Sequence, residues 1–346
     1  MSATKSGGPS STSWTPPTGT SNWPTSAGPR APCREHATEP SPQSSGARII
    51  AVGGGKGGVG KTFLSANLAY TLSRAGYKVV AVDTDIEGPN LHTWLGVSKP
   101  RVSLADYVSG RESRIEHLLL ETPHHGLGLL AATHGDLAAA QPEAGRRLEF
   151  LRALRELPCD FVFVDCGAGA HPATIDYFLV GDEGLLVLHP EPTSIENTYT
   201  FIRAAFYRRM HAAMQKHDVR ECVREAMDQR NERGIRSPLD LLEAVRHMDP
   251  EEGQRFAATM RSFRPRILVN EVATAEDVKL GFSVRSICRK FFGIEADYVG
   301  YINRDQAVRD SVLLRKPLLE VRPEADSAVY LQRIAGKLAE AAGAPR

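Results

Sequence analysis

Apolar residues are sparse over the first 46 positions and become periodic only afterwards. The opening stretch, MSATKSGGPSSTSWTPPTGTSNWPTSAGP and onward, is dense in Ser, Thr, Pro and Gly. It cannot bury enough surface to offset chain entropy, so residues 1–46 are expected to form a disordered tail. Trp14 and Trp23 lie near prolines there and read as a linker or as a short docking motif. Order is expected from RIIAV (48–52), a β-branched run that leads through glycines into KTFLSANLAYTLSRAG. In that segment Leu64, Leu68 and Leu72 share one helical face, and Gly76 suits the left-handed position after a helix. KVVAVDTD follows as a second strand with carboxylates at its end. Strand, glycine loop, helix and strand make a right-handed βαβ unit and imply a parallel sheet.

Further strands are predicted at Leu127 to Ala131, Phe161 to Val164, Leu185 to Leu188, Ile267 to Val269 and Tyr298 to Ile302, with helix-length stretches between them. The alternation predicts an α/β fold, doubly wound around a mostly parallel sheet and occupying residues 47–346. From about 207 to 262 the chain is rich in Arg, Glu, Met and His and lacks strand-like runs, so a helical insertion on a sheet edge is expected there.

Composition narrows the classes. With 346 residues, 42% of them hydrophobic, the chain can bury a sizeable core, and a net charge of +1 offers no global excess for nucleic acid or anionic membrane. Five cysteines, Cys33, Cys159, Cys166, Cys222 and Cys288, are scattered without a CxxC pair, as suits a reducing cytoplasm. No apolar run has the length of a signal sequence core behind a basic start, or of a membrane span. A cytoplasmic protein is expected.

The chemistry begins at GGGKGGVGKT (53–62). Gly55, Gly60, Lys61 and Thr62 satisfy G-x-x-x-x-G-K-[ST] between a strand and a helix, the context of a phosphate-binding loop. Its glycines let backbone amides curl around a phosphate at a helix N-terminus. The candidate nucleotide-binding residues are Gly55, Lys56, Gly57, Gly58, Val59, Gly60, Lys61, Thr62 and Phe63. Lys61 is expected to bridge β- and γ-phosphate oxygens, and Thr62 to bind Mg²⁺ through its hydroxyl.

Carboxylates follow the strands. FVFVDCGAG places Asp165 directly after four apolar residues, a Walker B pattern, with Gly167 and Gly169 behind it as a segment free to switch. In VDTDIEGPNLHTWLG, Asp83 ends its strand as a candidate ligand to a metal or its water, and Asp85 begins the loop as a further candidate at the metal beside Asp165, within reach of an attacking water. Capping or turn formation is the plain alternative for both. Glu87 and His92 read as solvated or partner-facing, and Cys166 as a small packing residue.

Lys56 is superfluous for binding phosphate within its own loop. Together with VDTD and FVFVDCGAG in order, KGGVGKT resembles the deviant Walker A ATPases of the MinD/ParA class, from Arg48 to about residue 340. GPNLHTWLG, GAG and YVGYINRDQAVRDSVLLRKPLLE resemble the FlhG-like branch. The resemblance implies ATP with Mg²⁺, a homodimer formed when ATP is bound, and Lys56 acting in trans on the opposite subunit's phosphates. It places Asn270 and Asp305 near the adenine, although INRD carries Asn303 where relatives usually have proline. It puts Glu191 at the dimer face, where reaching the partner's ribose and serving as an ordinary loop carboxylate are equal alternatives. The absence of an NKxD motif favours ATP over GTP.

The implied function is a slow, partner-stimulated ATPase that positions a cellular structure related to a flagellum, polar machine, division or chromosome. The tail lacks the branch's GTPase-activating motif, so the expectation is a positioning role in general. Arg285, Arg289, Lys290, Arg309, Arg315 and Lys316 are candidates for nonspecific DNA contact, with solvated helix faces as the alternative. The alanine-rich end, AVYLQRIAGKLAEAAGAPR, argues against membrane binding there. The other readings are a NifH/Mrp-type metallocluster carrier, which needs cluster-holding cysteines, and a nucleotide-bound scaffold with little turnover.

Overall fold

The computed structural model describes residues 46–86, 88–132, 144–228 and 230–341. Residues 1–45 of the expected tail, with Trp14, Trp23 and Cys33, lie outside the described residues, as does Glu87. All seven predicted strand runs are strands: β1 (Arg48–Gly53), β2 (Val79–Asp83), β4 (Leu127–Leu130), β5 (Phe161–Asp165), β6 (Glu183–Leu188), β7 (Arg266–Val272) and β8 (Asp297–Asn303). The remaining strand, β3 (Leu120–Glu121), pairs antiparallel with β4; at two residues it is too short to carry an alternation signal. The sheet order is β3-β4-β2-β5-β1-β6-β7-β8, parallel throughout apart from β3.

The helices among the described residues are α1 (Lys61–Arg74), α2 (Leu91–Trp94), α3 (Leu104–Val108), α4 (Ala144–Glu156), α5 (Pro172–Leu179), α6 (Pro192–Ala213), α7 (His217–Glu225), α8 (Pro238–Met248), α9 (Pro250–Ser262), α10 (Ala275–Ile287), α11 (Gln306–Leu314), α12 (Leu318–Val321) and α13 (Asp326–Ala341). Prolines open α5, α6, α8 and α9, where a missing N–H costs no intrahelical bond.

Strand alternation assigns the helices to two layers. On β5, Phe161 and Phe163 face a core shared with α1 and α13, whereas Val162, Val164 and Cys166 face one shared with α4, α5, α6 and α10. Helix α1 is central rather than half-exposed: Leu64 and Leu68 are fully buried, Leu72 nearly so, and Gly76 follows at φ +97°. Each such leucine contributes roughly 1.5–3 kcal/mol by burial.

The helical stretch between β6 and β7 begins at Pro192, earlier than residue 207, because Thr193 to Thr200 continue helically from the strand-end turn. Its Phe206, Val219, Leu241 and Phe256 are fully buried in the same core as the sheet face, so the stretch covers that face in addition to any edge. Helix α13 buries Leu331, Ile334, Ala335 and Leu338 against the other face, which commits its apolar side to the core. Among the described residues no helix is long and apolar enough to cross a membrane.

Candidate functional site

The order β2-β5-β1 sets the site, because it brings three strand ends together. In the parallel ladder Val52 and Asp83 are both level with Asp165, so the glycine loop opens beside two carboxylates on the α1 side of the sheet. Close packing explains why glycines occupy the loop. A Cβ on Gly55 would lie 2.1 Å from the Asn197 carbonyl oxygen in α6, and Gly60, at φ +92°, would meet the Asn270 amide at 2.2 Å. Lys61 is buried, and its ammonium donates to the Lys56 carbonyl at 3.2 Å, folded back over its own loop.

Asp165 is buried and receives hydrogen bonds from the hydroxyls of Ser65, at 3.0 Å, and Thr62. Burial raises its pKa to about 6, a rise opposed by Thr62, Lys61 and Ser65. Asp83 is fully buried and accepts the backbone N–H groups of Asp85, Asn90 and Leu91 at 3.1 Å each. Its pKa stands well above the ordinary carboxylate range, through burial first and the adjacent Asp165 second. Capping is thus part of what Asp83 does. Asp85 is half-buried, accepts the Gly88 N–H at 3.0 Å and lies against Gly167. Ser65 was not singled out from sequence, although its place three residues after Thr62 puts both hydroxyls on one face of α1.

Other candidates are placed less directly. Asn270 is buried and donates to the Val59 carbonyl at 3.0 Å, tying the end of β7 to the loop. Asp305 caps α11 by accepting the Ala307 N–H at 2.8 Å. Both also line a cavity of about 530 Å³ beside Gly60, together with Phe63 and Trp94, whose rings lie 5.4 Å apart.

Lys56 points out of the cradle to the rim, where its ammonium donates to Glu191 at 2.9 Å and Thr193 at 3.2 Å. Val59 is buried; Gly57 and Gly58 are exposed. Cys166 is buried on the opposite sheet face, and burial raises its thiol pKa, as befits a packing residue. Of the candidate DNA-contacting cations, Arg289 pairs with Glu295 and Lys316 with Glu320, whereas Arg285 and Lys290 lie over Phe282 and Phe291.

The donor set suits a nucleotide with Mg²⁺. Hydroxyl and carboxylate oxygens from Thr62, Asp165 and Asp83 are hard ligands. The two buried carboxylates are costly together without a cation, and the Lys61 ammonium rests on a neutral carbonyl that a phosphate would outcompete.

The family profile described as the CobQ/CobB/MinD/ParA nucleotide binding domain matches residues 50–318, most of the chain. The chain belongs to this MinD/ParA family. Over 293 residues, 84% of this chain and 86% of the relative, it is 27% identical to the antiactivator FleN of Pseudomonas aeruginosa. It is 33% identical over 158 residues to the flagellum site-determining protein YlxH of Helicobacter pylori, covering 45% of this chain and about half, 53%, of that protein. These two relatives bear out the FlhG-like resemblance. Among solved structures, the septum site-determining protein MinD complexed with Mg-ADP from Pyrococcus horikoshii matches with a TM-score of 0.60 at 20% identity, over 86% of this chain and 98% of that one. That likeness supports the MinD/ParA architecture.

Proposed function

We propose that this protein is an ATP-dependent dimerisation switch that hydrolyses ATP slowly and positions or regulates a cellular structure. The observation that carries the reading is the division of labour between two lysines of one loop: Lys61 folds into its own cradle while Lys56 projects to an exposed rim. A second subunit sealing ATP from that rim gives Lys56 a purpose that its own subunit does not.

In this reading the loop amides and the start of α1 hold the phosphates, and Lys61 bridges the β- and γ-oxygens. Thr62, Asp165 and Asp83 would hold Mg²⁺, which when bound neutralises charge on the phosphate oxygens. Asp85 orients the water that attacks the γ-phosphorus as the bond to ADP breaks. Asn270, Asp305 and Phe63 border the base. The names of FleN, YlxH and the MinD relatives support a positioning role for the dimer, with a protein partner that stimulates turnover and recruits a cytoplasmic protein to its site.

ATP turnover and solution mass, measured on wild type, Asp85→Ala and Lys56→Ala, test the proposal. Wild type should dimerise with ATP and turn it over, Asp85→Ala should stay dimeric without turnover, and Lys56→Ala should remain monomeric. If Lys56→Ala dimerised on ATP as wild type does, the switch model would fail. Proteins captured by Asp85→Ala with ATP and lost with Lys56→Ala would identify the structure served.

A further inference from the structure

At the opposite end of the sheet, where strands begin, lies a second polar cavity of about 590 Å³. The length of β1 separates it from the glycine loop by about 17 Å. Arg48, Glu183, Arg266 and Asp297 are the first residues of β1, β6, β7 and β8, so sheet order gathers their side chains at its mouth. Arg155 enters from the end of α4, Arg209 from α6, and Arg264 from the link between α9 and β7.

The charges here do not balance. Five arginines line the cavity against the three carboxylates of Asp182, Glu183 and Asp297. Glu183 is shared, accepting from Arg48 at 2.8 Å and from Arg266 at 2.6 Å, while Asp182 is held by Arg155 at 2.9 Å. Among the described residues Arg209 and Arg264 have no carboxylate within ion-pair distance. Arg209 donates to the Ser262 hydroxyl at 3.1 Å and lies over the Phe263 ring, and Arg264 has only the Arg261 carbonyl at 3.4 Å. The Nε groups of Arg48 and Arg209 are buried with no acceptor among the described residues. The planar guanidinium fork favours bidentate oxyanions such as phosphate, and a half-buried cation like Arg209 without a counter-charge is costly.

We propose that this cavity is a binding site for a small, multiply phosphorylated anion, separate from the nucleotide loop. Its volume lies within the range of small-molecule pockets, and eight charged side chains line it against two aromatic ones, Phe178 and Phe263, the second already covered by Arg209, so the site favours phosphate groups over a base. Arg209 and Arg264 supply the uncompensated charge, and the shared pairs at Glu183 and Asp182 hold the other three arginines in place.

Calorimetric titration with inorganic tripolyphosphate tests the site, using Lys61→Ala protein and wild type pre-filled with ADP so that the glycine loop does not contribute. Sulfate at matched ionic strength is the control, and a hexaglutamate peptide separates phosphate from carboxylate recognition. Saturable binding near one per chain should persist in both backgrounds and weaken about tenfold in Arg264→Glu and in Arg209→Ala. Arg264 is exposed, so its variant keeps the test informative if Arg209→Ala does not fold. Loss of binding with Lys61→Ala, indifference to both arginine substitutions, or hexaglutamate binding without tripolyphosphate binding would each overturn the proposal.

Discussion

Asp83 and Asp165 stand level on adjacent parallel strands, both buried and both facing α1. Two carboxylates so placed disfavour each other's ionisation. Protonation of Asp165, with a pKa near 6 when folded against an ordinary value of 3.8, is favoured by folding. Its stabilising contribution is therefore complete below about pH 3.8 and is lost as pH rises through about 6. Asp165→Asn removes that titration. In nucleotide-free protein the variant should gain on wild type between pH 4.5 and 7, by about 2–3 kcal/mol. Denaturant unfolding at several pH values measures the difference; a gap that does not change with pH would refute the assignment.

The contact of Lys56 with Glu191 and Thr193 closes within one subunit, so Glu191 is neither idle nor already turned to a partner. The pair is exposed and therefore weak. Glu191→Ala should leave thermal unfolding within about 1 °C of wild type and, by freeing the lysine, raise the dimer fraction at limiting ATP several-fold. Sedimentation over an ATP series reads this out. A reduced dimer fraction would mean that Glu191 itself contributes across the interface.

Asn270 reaches from β7 to the carbonyl of Val59. Asn270→Ala should cost about 1–3 kcal/mol by leaving that carbonyl without its donor. Nucleotide affinity should fall as well, because the carbonyl belongs to the loop that bends around the phosphate. Thermal shift with and without nucleotide separates the effects: a purely structural brace would lower both melting temperatures equally, whereas a loop-positioning bond would also reduce the increment on nucleotide addition.

Much of this was legible because the signals were local. The run FVFVD is a buried strand with an acid at its end under any packing, and GGGKGGVGKT between strand and helix has few other uses. What was not legible depended on which distant segments meet. Ser65 became part of the site only when β5 was placed beside β1, and Asp305 proved to be a helix cap whose residue type suits either role. The insertion was expected from about 207 because the composition changes there, whereas α6 already begins at Pro192, where proline suits the first helical position. The arginine cavity was invisible for a simpler reason: its arginines come from four elements and one link, and only Arg264 and Arg266 are near each other in sequence.

Gly55 and Gly58 make a final contrast inside one loop. At Gly55 the obstacle is space, since any Cβ strikes the α6 backbone at Asn197. At Gly58 nothing lies within 4 Å, and the obstacle is conformation, because φ is +78°. Gly58→Ala should therefore cost about 1 kcal/mol of backbone strain and leave nucleotide binding within about threefold of wild type. Gly55→Ala must move the loop or α6, and a shift at the loop displaces the phosphate amides. Its binding should fall by more than tenfold at similar overall stability, since loops absorb displacement better than packed helices do. Binding of a fluorescent ATP analogue to the two variants decides the matter. Equal losses would mean that conformation alone, and not the approach of α6, sets the glycine at position 55.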